Sequence, residues 1–359
     1  MPIKPAFNDE TRLRIVQAMK QKDSIKPDLT MLHNKTGMSI VTIKRALKKM
    51  EQMNHFEKFY PLLSAQNSGF EVLATIFMQI DSSKQNKFNE FLEFCKNEPR
   101  IISVHRIIGS GKWNLMIRSI SRNLENFDTM INQPELNICG NDLVIDNIFF
   151  FSTEPIIVNN RRAQIMANII IKRSEENKKI KKYMTPKRKK LLDCFAEGIT
   201  LKPNIKQIQK LTKFHAATIK SSLKFLEDEH ILKGYAPSIN FKSLGVNSLI
   251  FDFFTIDFSD IKKLNELKKI IENDENIFHA GAVYGDDTHN FMIMHAYTNV
   301  EEYNLNFRQK YFNNKNILNF LKNRMTFFTT SSPLEAKGMW PSISTALLDI
   351  LLKENGIEK

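Results

Sequence analysis

The amino-acid sequence predicts an α+β fold in which one unit occurs twice in tandem, and three observations predict it. The segment from Val41 to Glu51 matches the segment from Ala217 to Glu227 at an offset of 176 residues. The same offset aligns residues far outside these segments without a gap. Within each unit, a helical spacing of apolar residues gives way to the alternation typical of strands. The repeated unit therefore defines the domain organisation. The aligned residues include Lys26-Pro27 with Lys202-Pro203, Pro61 with Pro237, Gly69 with Gly245, Gly109 with Gly285 and Asn114 with Asn290.

The first part of each unit predicts three short helices. In the first unit, Pro27-Asp28 opens a second helix that ends at Gly37, a residue suited to the positive φ of a helix end. Ser39 is placed to cap a third helix with an apolar stripe and a basic outer face. This is the helix-turn-helix plan. The stripe consists of Ile40, Ile43, Leu47 and Met50 in the first unit, and of Ala216, Ile219, Leu223 and Leu226 in the second.

A short alternating stretch with a proline follows each third helix. It spans residues 55–61 in the first unit and residues 231–237 in the second. Because alternation over a few residues is typical of a strand, each stretch predicts a small β-wing against the helices.

The second part of each unit predicts the order βαββαβ. This is the order of a ferredoxin-like sandwich, whose sheet buries one face on two helices and leaves the other face free. Because the free face is rich in large apolar residues, we expect it to pair with another such sheet, and the other half of the chain can supply one. The predicted elements are 71–80, 84–96, 101–108, 113–120, 123–131 and 142–151, and then 248–256, 261–271, 277–284, 289–297, 300–312 and 324–330.

These elements divide the chain into two winged helix-turn-helix domains and two ferredoxin-like domains. At 359 residues the chain is too long for one ordinary core. The lysine- and arginine-rich linker is either a solvated helical connection or a contact to a DNA backbone, and the C-terminal helix predicts a packing or oligomer contact. The boundaries are 1–66 and 184–243 for the helix-turn-helix domains, 67–158 and 244–335 for the ferredoxin-like domains, 159–183 for the linker and 336–359 for the C-terminal helix.

The composition favours a globular protein with a polyanionic partner. Hydrophobic residues make up 42% of the chain and charged residues 25%, which is typical of a globular protein. The formal net charge of +13 indicates nucleic acid or an acidic membrane surface as partner, although a lysine-rich genome raises the charge of every protein that it encodes.

The cysteines and the apolar runs predict a soluble cytoplasmic protein. The three cysteines are scattered, without a Cys-x-x-Cys pair, which indicates a reducing compartment. Charged residues interrupt the N-terminus, so no signal peptide is expected, and no apolar run is long enough to span a membrane.

Two motifs resemble the Lrp/AsnC family of transcription regulators. The stretch from Glu229 to Tyr235, with Leu244-Gly245 beyond it, is similar to the family's segment that leaves the recognition helix. Gly111-Lys112-Trp113-Asn114-Leu115 resembles the family's Gly-x-Tyr-Asp-Leu turn, with Asn114 in place of the aspartate. The resemblance implies double-stranded DNA and a small-molecule effector as partners. Because the family usually carries one unit per chain and dimerises, two units imply an intramolecular pseudo-dimer, with homo-oligomers as a further option.

The basic outer face of the third helix supplies the candidate DNA contacts. Cations bind phosphates and base edges, and hydroxyl groups near a helix N-terminus bind the backbone. Because Ser221 replaces Arg45 and Phe225 replaces Lys49, we expect the second helix to bind more weakly or to be structural. The candidates are Ser39, Thr42, Lys44, Arg45, Lys48 and Lys49 in the first unit, and Thr218, Lys220, Ser221 and Lys224 in the second.

The resemblance places an effector pocket near the glycine-containing turn. The candidate effector contacts are Gly111, Trp113, Asn114 and Asn290. No metal or other cofactor is expected, because the eight histidines lack metal-ligand spacing. The run from Gly109 to Lys112 is not a phosphate loop, since Arg106 and Trp113 occupy positions that such a loop needs for glycine and Ser/Thr. No catalytic arrangement follows from spacing, so we expect a regulator and not an enzyme.

Two alternatives remain open at this stage. Siroheme decarboxylases resemble the same two-domain unit paired as unlike partners, and they need histidine and arginine in the cleft between the sheets. His105-Arg106 is the adjacent pair available for that role. The second alternative is a metabolite-sensing module that regulates a protein partner without binding DNA.

Overall fold

The computed structural model describes residues 10–52, 56–132, 143–159, 200–239, 248–330 and 335–336, except for residues 20, 22, 275, 286–287 and 298. The predicted basic linker from 160 and the C-terminal helix from 337 lie outside the described residues. The chain forms two compact units, and each combines segments of both halves. Unit 1 contains Met1–Phe70, Arg162–Leu244 and Trp340–Lys359, and unit 2 contains Glu71–Arg161 and Gly245–Met339. We call the residues up to 159 the first half of the chain and the residues from 200 the second half.

In the first half, the described elements follow the predicted order. They differ mainly in the last long strand, which runs on to Asn159, in a two-residue strand at Ile108–Gly109, and in a three-residue strand at Ile25–Pro27 that was not predicted. The elements are α1 (Glu10–Met19), β1 (Ile25–Pro27), α2 (Leu29–Thr36), α3 (Ile40–Gln52), β2 (Phe56–Leu63), β3 (Val72–Ile80), α4 (Gln85–Asn97), β4 (Ile101–Arg106), β5 (Ile108–Gly109), β6 (Leu115–Ser121), α5 (Leu124–Ile131) and β7 (Val144–Asn159).

From its first described strand, the second half follows the order of the first half from β1 onward, with one continuous strand in place of β4 and β5 and with a short helix and a two-residue strand added near its end. The α+β class is confirmed. A π-helical turn, Arg308–Phe312, continues α9. The elements are β8 (Leu201–Pro203), α6 (Ile205–Thr212), α7 (Ala216–Asp228), β9 (Leu232–Ile239), β10 (Ser248–Thr255), α8 (Ile261–Asn273), β11 (Ile277–Tyr284), β12 (Phe291–Tyr297), α9 (Val300–Phe307), α10 (Lys315–Leu318), β13 (Lys322–Thr330) and β14 (Glu335–Ala336).

In unit 1, two antiparallel strand pairs join the two halves. β1 pairs with β8, where Lys26 lies opposite Lys202, and β2 pairs with β9, where Tyr60 lies opposite Ala236. Both pairs place a residue opposite its own match at the offset of 176, as a local twofold axis requires. The predicted wing strands do contact the helices, β2 against α1 and α3, and β9 against α7. The sequence pattern did not indicate that the two wings pair with each other.

Helix α1 also connects the halves of unit 1. It packs against α6 and α7 of the second half, and it buries Ile15, Val16 and Met19 completely. Burial of three such side chains contributes about 2 kcal/mol each, so this helix stabilises the joined arrangement.

In unit 2, the described strands form one sheet of ten strands, in the order β14-β4-β6-β3-β7-β11-β12-β10-β13-β5. Each half contributes a separate core between its strands and its helices. In the first half, Phe88 and Phe91 of α4 and Phe127 of α5 pack on the strands. In the second half, Leu267 of α8 and Phe307 of α9 do so.

Each strand also has a side that points away from the helices, and we call it the inner face. The inner face of the first half packs against that of the second half. The ring of Phe77 on β3 lies 5.3 Å from the ring of Phe253 on β10 and 4.3 Å from that of Phe327 on β13. Phe150 on β7 lies 4.6 Å from Phe253. The free apolar face of the first half thus packs against strands of the second half, which was one of the partners that the sequence allowed.

Two glycines at matching positions allow strands of opposite halves to meet. A Cβ atom on Gly109 would lie 2.1 Å from the carbonyl oxygen of Thr326, and one on Gly285 would lie 2.2 Å from that of Phe149. The neighbouring Ser110 stabilises the contact between β5 and β13, since its Oγ accepts a hydrogen bond from the N–H of Thr326 at 2.9 Å. The repeated glycine that the sequence singled out therefore serves close backbone approach.

We expect Gly109→Ala to destabilise unit 2 by about 2–3 kcal/mol, because its Cβ meets backbone that cannot rotate away. Faster hydrogen exchange of the β13 amides would measure this loss. Ser110→Ala is the matched control, and it should cost only about 1 kcal/mol through one lost hydrogen bond. Equal effects of the two changes would contradict the steric explanation.

The helix-side core of the second half contains a buried polar cluster around Asp252. The Asp252 carboxylate accepts hydrogen bonds from Tyr303 Oη, Thr326 Oγ1 and Arg324 Nε, the last at 3.0 Å. His295 Nε2 lies 3.2 Å from the carboxylate, at an angle that makes no hydrogen bond. The guanidinium of Arg324 also lies over the ring of Phe307, at 4.4 Å. The cluster thus satisfies a fully buried charge with several donors.

Candidate nucleic-acid interface

Side-chain caps fix the helix-turn-helix of the first half. Asp28 accepts hydrogen bonds from the N–H groups of Thr30 and Met31, and it pairs with Lys202 at 3.0 Å. Burial alone raises the pKa of Asp28, but the hydrogen bonds from Lys202 and from Met31 outweigh it and hold the pKa below its usual value. Gly37 ends α2 with φ of 68°, as its position predicts.

Ser39 caps the third helix, as predicted. Its Oγ accepts a hydrogen bond from the N–H of Thr42 at 3.3 Å and lies 3.0 Å from Thr42 Oγ1. The two hydroxyl candidates thus lie together at the N-terminus of α3. An N-terminal N–H and hydroxyl arrangement of this kind is suited to a phosphate.

The outer face of α3 is basic and exposed. Lys44, Arg45 and Lys48 are exposed, and none forms an ion pair with a residue that the structure describes, whereas Lys49 is half-buried. The inward face consists of Ile43, Ala46 and Met50. Four cations against one carboxylate give α3 a net charge of +3.

The apolar stripe predicted for α3 is wrong at its first position. Ile40 is 41% exposed, and its neighbour Val41 is 59% exposed. The helix begins at Ile40, so this residue extends beyond the packed stripe. Two exposed branched side chains therefore stand at the end of the helix where recognition helices contact base edges. Val41 is not among the contacts predicted from the sequence, although it is a β-branched residue on an otherwise polar helix face.

The matching helix α7 presents a weaker basic face. Thr218, Lys220, Ser221 and Lys224 are all exposed. Two cations are balanced by the carboxylates of Glu227 and Asp228, so the net charge of α7 is zero. Small alanines, 216 and 217, stand where α3 has Ile40 and Val41.

Phe225, which replaces Lys49, has a structural contact. The guanidinium of Arg12 on α1 lies 3.6 Å from the centre of the Phe225 ring. A cation over an aromatic face at this distance is favourable by about 0.5–2 kcal/mol. Where α3 has the cation Lys49, α7 therefore has an aromatic ring that packs against α1.

The turn residues predicted to contact an effector have backbone partners. Asn114 donates to the carbonyl of Ile80 and accepts from its N–H, both at 2.9 Å. Asn290 makes the same pair of bonds with Ile256, both at 2.8 Å. Gly111 has φ of 73°, and Trp113 is half-buried. The two asparagines therefore close the ends of β3 and β10, and effector binding at these residues stays a prediction.

His105 and Arg106, the pair considered for a cleft between the sheets, point to opposite faces of strand β4. Arg106 is exposed on the helix side, where its guanidinium lies 4.9 Å from the centre of the Phe88 ring. His105 is buried on the inner face, and its Nδ1 lies 3.4 Å from Thr329 Oγ1 of β13. The expectation failed because adjacent residues of a strand point to opposite faces. The arginine near His105 is Arg118 of β6, a lone charge in a buried strand that the sequence analysis did not single out.

Burial, together with the charge of Arg118, lowers the pKa of His105 from 6.5 to about 3. The folded protein therefore keeps His105 neutral where the unfolded chain binds a proton. We expect unfolding free energy to fall as pH decreases below about 6.5, by up to about 1.4 kcal/mol per pH unit from this group. Urea unfolding at pH 7, 6, 5 and 4 measures the slope.

The variant His105→Gln isolates this contribution, because it removes the titration and keeps a polar side chain. Its slope between pH 6 and pH 4 should be shallower than that of the natural chain. His215→Gln is the control, since His215 is exposed and makes no side-chain cap bond. If His105→Gln leaves the pH dependence of the unfolding free energy unchanged, the result contradicts a buried, neutral His105.

The remaining histidines are dispersed. His279 is buried on β11, His295 is buried beside Asp252, and His289 is half-buried near the ring of Phe150. In the part of the chain that the structure describes, no three His, Cys, Asp or Glu side chains group as a metal site. Among the described helices, none has the length and apolar character needed to cross a membrane.

Comparison in sequence finds that part of the chain is similar to a transcriptional regulator. No protein-family model matches it. It is similar to the HTH-type transcriptional regulator FL11 of Pyrococcus furiosus, with 26% identity over 128 residues. The match covers 35% of this chain and 82% of that regulator.

Comparison in structure relates the chain to a siroheme decarboxylase. NirDL has a TM-score of 0.52 at 11% identity, and the match covers 96% of this chain and 99% of NirDL. NirDL in co-complex with an iron-uroporphyrin III analogue has a TM-score of 0.53 at 12% identity. AsnC of E. coli matches 41% of this chain at 14% identity, with a TM-score of 0.30. The likeness to NirDL shows a shared fold over nearly the whole chain.

Proposed function

We propose that this chain is a sequence-specific, DNA-binding transcription regulator of Lrp/AsnC type, with α3 as its principal recognition helix. The observation that carries the proposal is the exposed face of α3. Lys44, Arg45 and Lys48 project from a capped helix with a net charge of +3, and they have no described carboxylate to neutralise them. Similarity to the regulator FL11 supports the same function.

The parts of α3 have separate roles in this proposal. Ser39 and Thr42 bind a phosphate at the helix N-terminus. Lys44, Arg45, Lys48 and Lys49 bind phosphates or base edges. Val41 contacts thymine methyl groups, because an exposed branched side chain near the helix start is suited to an apolar contact in the major groove.

The second helix has a lesser role. Thr218, Lys220, Ser221 and Lys224 of α7 contact the backbone of a second half-site. The two helices of the pseudo-dimer enter successive major grooves, roughly 34 Å apart, as symmetric helix-turn-helix dimers do. Since α7 has no net charge and holds Arg12 through Phe225, the two half-sites are bound unequally.

A genomic fragment library incubated with the purified full chain tests the function. We expect recovery of a small set of fragments with a shared sequence, and competition by that sequence but not by a scrambled one. Recovery without sequence preference would contradict a specific regulator.

The same preparation distinguishes the enzymatic alternative. Because the fold is shared with NirDL, the protein is also mixed with siroheme and its absorption spectrum is recorded. A regulator leaves the spectrum unchanged. A stoichiometric spectral shift followed by loss of carboxylate groups would overturn the regulatory proposal in favour of a siroheme decarboxylase-like enzyme.

A further inference from the structure

The inner face of the first half contains one arginine, Arg118, in the middle of β6. Arg118 is 6% exposed. Thr75 of β3 and Ser103 of β4 lie opposite it on the two neighbouring strands. Residues directly opposite each other in adjacent strands present their side chains to the same face, so two hydroxyl groups flank the guanidinium.

This guanidinium has no internal counter-charge among the described residues. Its buried Nε has no hydrogen-bond partner, and burial alone accounts for a pKa lowered from 12.5 to about 10. Buried charges in proteins are paired or bind a ligand, since an unpaired one is costly to remove from water. An unsatisfied buried polar group therefore points to a partner that is not part of the chain.

The surroundings of Arg118 define the charge of that partner. The charge of Arg118 acts on the buried His105, whose pKa is lowered to about 3 by burial and by this charge. Because His105 is therefore neutral, the site carries one positive charge. The inner-face positions of β3, β4 and β6 contain no Asp or Glu. The next pair along the strands, Phe77 with Met116, is fully buried and apolar.

We propose that the inner face of the first half binds a small monocarboxylate with an apolar remainder, held by Arg118. A carboxylate matches the planar fork of a guanidinium with two parallel hydrogen bonds and cancels a single charge. Thr75 and Ser103 donate hydrogen bonds to the same oxygens, and Phe77 and Met116 contact the apolar part. A phosphate dianion leaves one charge unbalanced. A free amino acid leaves its ammonium group without an acidic partner on these strands.

The site belongs to the first half alone. The residue that matches Arg118 at the offset of 176 is Met294, which is buried on β12. Methionine is thus compatible with this position of the fold, and Arg118→Met is a suitable variant. Without ligand it should be at least as stable as the natural chain, because it removes an unpaired buried charge.

Thermal unfolding and titration calorimetry of the full chain test the proposal, and its failure leaves the DNA-binding proposal untouched. The probes are sodium salts of acetate, propionate, butyrate and hexanoate, with inorganic phosphate as a separate probe, all at constant ionic strength. We expect a rise in Tm that grows with the logarithm of the monocarboxylate concentration, because a ligand that binds only the folded state stabilises it in this way. Titration calorimetry should show saturable binding of the same ligand. The control Arg106→Met removes an exposed arginine on the other face and should keep the full rise.

Arg118→Met should abolish the rise in Tm and should increase the Kd measured by calorimetry at least tenfold. Arg118→Lys, which retains the charge but not the fork, should bind more weakly than the natural chain. The proposal is overturned if the natural chain shows neither a rise in Tm nor a saturable binding heat with any monocarboxylate, if Arg118→Met shows an equal rise in Tm, or if phosphate alone raises Tm. A ligand-free Arg118→Met that is less stable than the natural chain would contradict the unpaired state on which the proposal rests.

Discussion

Replacing Arg45 and Lys48 by alanine together is expected to weaken DNA binding about 10- to 100-fold, because each removes a charged contact worth roughly 1 kcal/mol. Both side chains are exposed on α3 and do not support its packing, so the variant should fold normally. Fluorescence anisotropy with the recovered operator, at fixed salt, measures the loss.

The matched variant replaces Lys220 and Lys224 of α7. These residues align with Lys44 and Lys48 at the offset of 176, and their helix carries no net charge. We expect a loss of about threefold or less, since Glu227 and Asp228 on the same helix offset the attraction of these two lysines to phosphate. Equal losses in the two double variants would contradict the unequal use of the helices.

Replacing Asp252 by isoleucine is expected to destabilise unit 2 by about 3–5 kcal/mol, because it leaves the donors of a buried network without their acceptor. Arg324 Nε, Tyr303 Oη and Thr326 Oγ1 all lose the same carboxylate. Isoleucine is the appropriate substitute, since Ile76 occupies the matching position in the first half and is buried there. Hydrogen exchange of the β10 and β12 amides measures the change.

A triple variant serves as the control for this interpretation. Asp252→Ile with Tyr303→Phe and Arg324→Met replaces the carboxylate and two of its three hydrogen-bond donors by apolar residues, and leaves Thr326 as the remaining donor. Phe127 of the first half already matches Tyr303. Replacing a whole buried ionic group in this way is often neutral. We therefore expect the triple variant to recover most of the stability that the single variant loses. A single variant within about 1 kcal/mol of the natural chain would contradict the role of Asp252.

The sequence predicted most of the fold because local patterns specify it. The βαββαβ elements lie close to their predicted limits, and Gly37 and Ser39 end and cap helices as their residue types require. The pairing of inner faces also followed from composition, since large apolar residues such as Phe77 must be covered.

Pairings between the halves could not be predicted in the same way. The antiparallel contact of β2 with β9, and the extension of β7 to pair with β11, join residues far apart in the chain. Periodicity reports which face of an element is buried, but not which strand lies beside it.

For the candidate sites too, the sequence predicted local features but not those that depend on packing between distant residues. Basic residues of α3 were found from their spacing, because an exposed helix face is a local property. His105 and Arg106 were grouped because they are adjacent, although a strand sends them to opposite faces. Arg118 was missed because the position that makes it unusual, buried and without a counter-charge, depends on packing of the whole sheet.

The salt dependence of DNA binding tests the central claim, that α3 binds DNA through its exposed cations. Neutralised phosphates release counterions, so the slope of log K against log salt concentration is about −0.9 for each contact. We predict that the natural chain has a steep slope and that Arg45→Ala with Lys48→Ala reduces its magnitude by about 2. A slope near zero in the natural chain, or the same slope in this double variant, would contradict the account.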